Sequence, residues 1–157
     1  MQYLVFGISI SFISWMFGMI VNSFIKDQAY YIKLSNLNFL KNEKYNKVIG
    51  LELLTWVVKN TFFKFFNQSL KLDKTAEISA LKNLRKEMTI AEISHLIAFI
   101  FVLFFAVYKG ISQNFVFGLV VVGVNILMNL YPSLLQQKNK RRIDRLIRIS
   151  VKRKQRS

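Results

Sequence analysis

The sequence predicts an all-α integral membrane protein. It has about three transmembrane helices, one N-terminal and two forming a C-terminal hairpin, plus an interfacial amphipathic helix and a basic C-terminal helix. Three observations carry this reading. Hydrophobic residues make up 53% of the 157 residues, and they are clustered into runs long enough to span a bilayer. The formal net charge is +15, and the basic residues lie outside those runs. Mean hydropathy is +0.31, high for a water-soluble domain. A strongly basic balance often marks a nucleic-acid binder. Here the apolar runs make an anionic membrane surface the better explanation, and no nucleic acid is expected. With no cysteine the chain has neither disulfide nor thiol nucleophile, and a single histidine makes a zinc site within one chain unexpected.

The whole chain, 1–157, reads as a single membrane domain. Residues 3–25 form the first apolar run. No Lys or Arg precedes it, as a signal peptide would require, and Lys26 follows it directly. The positive-inside rule then puts its C-terminal end in the cytoplasm, and the run reads as a plain hydrophobic anchor. Residues 26–49 are polar, with Tyr30 and Tyr31 suited to an interfacial belt and Asn42, Asn46 and Gly50 suggesting turns. In 51–70, aromatic and aliphatic residues alternate with Glu52, Lys59, Asn60, Lys64 and Asn67. Two lysines in the middle of a span would be costly. The stretch therefore reads as a helix lying in the interface, with a fourth span as the alternative. Residues 71–91 read as a cytoplasmic helix with an apolar stripe of Leu81, Leu84 and Met88.

The second and third spans are 91–108 and 115–135, joined by a short turn over 109–114 into an antiparallel hairpin. On the third, Asn125, Asn129, Pro132, Gln136 and Asn139 are spaced 4, 3, 4 and 3, which keeps them on one helical stripe facing the protein interior. Pro132 should free the Met128 carbonyl and kink the helix. The bland reading of this stripe is hydrogen-bonding glue between helices. The tail, 138–157, is dense in Lys and Arg, which places the C-terminus in the cytoplasm. Ile143, Leu146, Ile147 and Ile149 interleave with Arg142, Arg145, Arg148 and Lys152. That pattern fits a basic amphipathic helix on the anionic lipids of the cytoplasmic face, or a topology-setting tail without lipid specificity.

The candidate site lies at the mouth of the second span. Glu92 and His95 are i and i+3 on one helical face, and Glu87 lies further back on the same broad face. Ionisable groups at a membrane entry are expensive, so they mark function by default. An imidazole with a carboxylate neighbour is a general-base arrangement. Neither a serine elbow nor a phosphate-binding loop is present. Acyl transfer from a thioester to a hydroxyl would need a base, polar groups for the oxyanion and a basic surface for the donor. Asn129, Gln136 or Asn139 could supply the oxyanion donors, and Arg141, Arg142 and Arg145 the basic surface.

The half from Glu87 onward resembles the glycosyl-4,4'-diaponeurosporenoate acyltransferase family of staphyloxanthin-type carotenoid biosynthesis. The likeness rests on Glu87 ahead of Ala91-Glu92-Ile93-Ser94-His95, then an apolar hairpin, Asn129, and seven residues later Gln136-Gln137-Lys138-Asn139-Lys140-Arg141-Arg142. Gln137, Lys138 and Lys140 depart from the family pattern, and Pro132 is shifted by one. The resemblance implies a membrane acyltransferase that esterifies a hydroxyl of a glycosylated, carotenoid- or lipid-type acceptor with a fatty acyl chain. His95 would be the base, Glu92 its orienter, and Glu87 a second acid or structural partner. Asn125, Asn129, Gln136, Asn139, Arg141 and Arg142 would bind substrates. The implied partners are an acyl donor, as an acyl carrier or CoA thioester, and a lipid-like acceptor, with no cofactor and no metal. The expected location is the bacterial plasma (inner) membrane. The alternative is a small non-catalytic subunit or scaffold of a larger inner-membrane complex, or a homo-oligomer. In a dimer, Glu-x-x-His from each copy would give half of a di-iron-like set of ligands.

Overall fold

A computed structural model describes residues 1–39, 50, 52, 56, 60 and 77–155. The described elements are helices: α1 (Gln2–Ile25), a short α2 (Tyr31–Leu34), α3 (Ile78–Ser112), α4 (Phe115–Asn125), a π-helical turn (Ile126–Leu130) and α5 (Tyr131–Lys154). Among the described residues, three helices are long and apolar enough to cross a membrane: Gln2–Ile25, Ile78–Ser112 and the continuous run Phe115–Lys154. Of the stretch 51–70 read as an interfacial helix, only Glu52, Trp56 and Asn60 are described. They are helical, and the Asn60 amide donates to the Trp56 carbonyl at 2.8 Å. The question of span or interface lies outside the described residues.

The helix expected in the cytoplasm and the second span are one helix. Nothing from Ile78 to Lys109 is Pro or Gly, so nothing interrupts it. At 1.5 Å per residue its 35 residues run about 50 Å, more than a bilayer core of about 30 Å. The turn after it is short. Asn114 caps α4, its Oδ1 accepting from the Val116 N–H at 2.8 Å.

The chain divides into two compact units. The first comprises Met1–Leu37 and Ile90–Ser133. In it α1 and α4 run parallel to each other and antiparallel to α3. Its apolar core is Ile10, Val102, Ala106, Phe117 and Val121, with Tyr3 stacked on Phe117 at 4.3 Å and Phe17 on Phe101 at 4.3 Å. Between lipid-facing helices, close packing and hydrogen bonds hold the contact more than the hydrophobic effect does. The inner face of α1 is accordingly small and polar: Gly7, Ser11, Ser14, Gly18 and Asn22 are buried. Phe12, Ile13 and Met16 are exposed on its outer side. The Ser11 and Ser14 hydroxyls are satisfied on their own helix, by Gly7 O at 2.8 Å and Ser11 O at 2.6 Å.

Pro132 disturbs the third span as its chemistry requires. It has no N–H to give Met128, and the turn just upstream is wide: the Tyr131 N–H bonds five residues back, to Ile126 O. An extra residue in a turn advances the helical phase. Just beyond it Ser133 and Gln137 are fully buried, each one residue later than the half-buried Pro132 and Gln136 of the extrapolated stripe, while Asn139 of that stripe stays buried.

The second unit comprises Asn38–Thr89 and Leu134–Ser157. Leu81, Met88 and Ile143 form its buried cluster, flanked by Leu84, Leu146 and Ile147. The apolar side of the basic helix is thus packed against α3 through Ile143, Leu146 and Ile147, while Ile149 and Val151 are exposed. Arg85 and Asp144 pair at 2.6 Å across the same two helices, both partly exposed. Packing outweighs this ion pair. Leu81→Ala is expected to cost about 2–4 kcal/mol through lost contacts and a cavity. Asp144→Ala should cost less than about 1 kcal/mol. Thermal unfolding of the two variants in the same detergent ranks them, and equal losses would contradict this order.

Candidate functional site

Glu92 and His95 stand one turn apart on α3, in the membrane unit. Glu92 is fully buried and His95 half-buried. Each neighbouring helix adds polar groups at this level. From α1, the Trp15 indole meets the His95 ring edge-on, with centroids 6.0 Å apart. Its Nε1–H donates to Asn129 Oδ1 at 2.9 Å. Asn129 lies in the π turn, and its Nδ2 donates to Asn125 Oδ1 at 2.8 Å and to Ser14 Oγ at 3.3 Å. Asn125 in turn donates to the Phe99 carbonyl at 2.9 Å. A carbonyl can only accept, so this last bond fixes the orientation of both amides in the chain. The Asn129 side chain is also within hydrogen-bonding reach of His95. His95 Nδ1 is buried and has no hydrogen-bond partner among the described residues.

Two helical turns beyond Trp15, towards the C-terminal end of α1, Asn22 spans α1 and α3. Its Nδ2 donates to the Ile90 carbonyl at 3.0 Å and to Ser94 Oγ at 3.1 Å. Tyr31 on α2 packs over this group and is buried. Burial pushes its phenol above the ordinary 10.0, and the negative charge of Glu92 adds to the rise, while the nearby Asn22 amide opposes it. The phenol is therefore neutral, and a donor, throughout the physiological range.

The structure brings His95, Glu92, Asn125 and Asn129 into one unit, with Asn129 beside His95. The other residues singled out in the sequence belong to the second unit. Glu87 and Arg142 are exposed there. Gln136 is half-buried and Asn139 buried, and Gln136 Oε1 and Asn139 Nδ2 have no partner among the described residues. Arg141 donates to Asn38 Oδ1 at 2.6 Å. Gln137 Oε1 accepts from the Phe39 N–H at 2.9 Å.

Sequence reasoning missed Trp15, Asn22 and Tyr31. A signal existed on α1: Gly7, Ser11, Ser14, Gly18 and Asn22 recur at 4, 3, 4 and 4, the spacing of a close-packed interface rather than of a plain anchor.

Chemically, the arrangement offers an imidazole in a water-poor setting, backed by an amide chain and an aromatic ring. The amide chain is also structural. Asn129→Ala would leave the Trp15 N–H and the Asn125 Oδ1 buried without partners, costing about 1–3 kcal/mol. A lower melting temperature with a shifted tryptophan emission should report it, since the chain has only 2 Trp. An unchanged spectrum and stability would show that the bonds carry no weight.

A family model described as glycosyl-4,4'-diaponeurosporenoate acyltransferase matches residues 27–149. No curated protein and no solved structure gives a match.

Proposed function

The chain belongs to the glycosyl-4,4'-diaponeurosporenoate acyltransferase family, and from that premise we propose that it esterifies a hydroxyl on a glycosylated, lipid-like acceptor with His95 as the general base. Membership makes it a membrane protein of an acyltransferase family in carotenoid biosynthesis, with an acyl donor and a glycosylated acceptor implied. The family match carries the reading, because Glu92 and His95 lie within it.

In the step itself, an acceptor hydroxyl oxygen attacks the thioester carbonyl carbon while the His95 ring takes its proton. The tetrahedral intermediate collapses, the C–S bond breaks and the imidazolium returns the proton to the departing sulfur. An ester and a free thiol result. Glu92 stabilises the transient imidazolium. Both hydrogens of the Asn129 amide are engaged by Asn125 and Ser14, so its part is to orient His95 rather than to bind the oxyanion. The protein sits in the bacterial plasma membrane with its C-terminus in the cytoplasm, where thioester donors are found.

The test is acyl transfer by the full chain in nanodiscs. A radiolabelled palmitoyl thioester is supplied, as CoA or acyl carrier, with a glycosylated carotenoid acid. A labelled ester of the sugar is expected with one of the donors. No ester with either donor would overturn the proposal.

A further inference from the structure

The charge of the chain is gathered in one unit. Of the 23 Lys and Arg, 20 fall within the residues of the second unit, with 6 of the 8 Asp and Glu, so those residues carry +14 of the formal +15. On α5 part of this charge is laid out in a line. Arg142, Arg145, Ile149 and Lys152 recur at 3, 4 and 3, which puts them on one stripe of the helix. All four are exposed. The stripe lies off the side that Ile143, Leu146 and Ile147 turn towards α3. The one acidic residue of α5, Asp144, is paired with Arg85 instead. Like charges at i and i+3 weaken a helix slightly, so the row does not serve the fold of α5.

Three kinds of anionic partner would answer such a row, and shape separates them. A helix that beds into a lipid surface needs its apolar side free. Here that side is spent on α3, and of the aliphatic residues of α5 only Ile149 and Val151 are exposed. Coenzyme A presents its phosphates as a compact group, which calls for cations that converge. The stripe instead extends over about 15 Å, from the rise of 1.5 Å per residue between Arg142 and Lys152. A protein partner with carboxylates one turn apart along a helix matches that length and sign. Ile149, 50% exposed within the row, supplies the apolar contact around which a protein interface is built. Resting on the acyl-transfer reading above, we propose that the stripe of Arg142, Arg145, Ile149 and Lys152 docks an acidic acyl carrier protein, and that this carrier rather than coenzyme A brings the acyl group. Complementary charge raises the rate of encounter and fixes the register in which the carrier sits.

Binding tests this without requiring turnover. Full-length protein in phosphatidylcholine nanodiscs is titrated with fluorescently labelled apo-acyl carrier protein, which has no acyl chain to partition into the bilayer. Saturable binding is expected, and it should weaken about tenfold between about 50 and about 300 mM NaCl as the charges are screened. Arg142→Glu combined with Arg145→Glu is expected to weaken it by about tenfold or more. Arg142→Gln with Arg145→Gln, a milder change, should follow with a smaller loss. Lys82→Glu with Lys86→Glu makes the same change of net charge at exposed positions of α3 off the stripe, and should cost less than about threefold. Equal losses for the two Glu pairs would mean attraction to net charge alone and overturn the proposal, as would no binding by the wild type or no loss in either Arg pair. Nanodiscs containing about one third phosphatidylglycerol should bind the carrier within about threefold of the neutral discs. Loss of binding there would give the stripe to lipid headgroups and equally overturn the proposal. Failures of the two readings separate cleanly. Stripe-dependent carrier binding by a protein that transfers no acyl group from any donor keeps the docking surface and sinks acyl transfer. Transfer from palmitoyl-CoA by a protein that does not bind the carrier does the reverse.

Discussion

His95→Gln is expected to lower acyl transfer by about 100- to 10,000-fold, the usual worth of a positioned general base. Glutamine has a similar reach and can still hydrogen-bond the Asn129 side chain, but it cannot take a proton at neutral pH. The Trp15–Asn129–Asn125–Phe99 chain does not pass through His95, so it should survive the change. Melting temperature and tryptophan emission should therefore stay near wild type while turnover collapses. That separation makes the variant informative. A protein that loses both has lost its fold, and a protein that keeps its turnover has another base. Binding of acceptor should persist, so the loss is expected in kcat more than in KM.

The second large effect is on stability. Gly18→Ala is expected to destabilise the membrane unit by up to about 2 kcal/mol although it adds only a methyl group. A Cβ at Gly18 would lie 2.2 Å from the Ser94 carbonyl oxygen and 3.1 Å from its carbon. Alanine gains about 1 kcal/mol of helix propensity over glycine. Overpacking costs about 1–3 kcal/mol, and here the obstacle is backbone, which cannot rotate aside. Overlap therefore wins. Because Ser94 also holds Asn22 and precedes His95, the displaced helix should carry the site with it, and activity should fall together with stability. Gly123→Ala is the control. A Cβ there meets nothing within 4 Å, so propensity alone should act and the variant should be as stable as wild type or slightly more so. Thermal unfolding in one detergent compares the pair. Equal stability for the two alanine variants would contradict the close approach of α1 and α3.

What could be read from the sequence divides along physical lines. The three helices long and apolar enough to cross a membrane, and the hairpin, were legible, because a run such as Leu96 to Tyr108 has no other use for its apolar surface. The stripe of Leu81, Leu84 and Met88 was legible as periodicity, but not its partner. Ile143 lies far along the chain, and an apolar stripe on a basic helix suits a lipid surface as well as another helix. Asn129 comes beside His95 because the hairpin returns the lower end of the third span to the depth at which the second begins. The π turn did not follow, since Pro132 announces a disturbed helix but not whether it bends or widens, and the phase of everything beyond depends on which. The polar face of α1 was hidden by composition. Small residues scattered through a strongly apolar run lower its hydropathy little, so an average reports an anchor where spacing reports an interface.

Mass spectrometry of lipids and pigments is the most direct test of the claim that His95 drives acyl transfer onto a glycosylated acceptor. It compares cells carrying the wild-type gene, the His95→Gln variant, or no gene. The expected result is a glycosylated species heavier by one fatty acyl chain in the wild type alone, with its unacylated precursor accumulating in the other two. The same acylated species at wild-type levels in the His95→Gln cells would contradict the assignment of the base. Its absence from all three would contradict the activity itself.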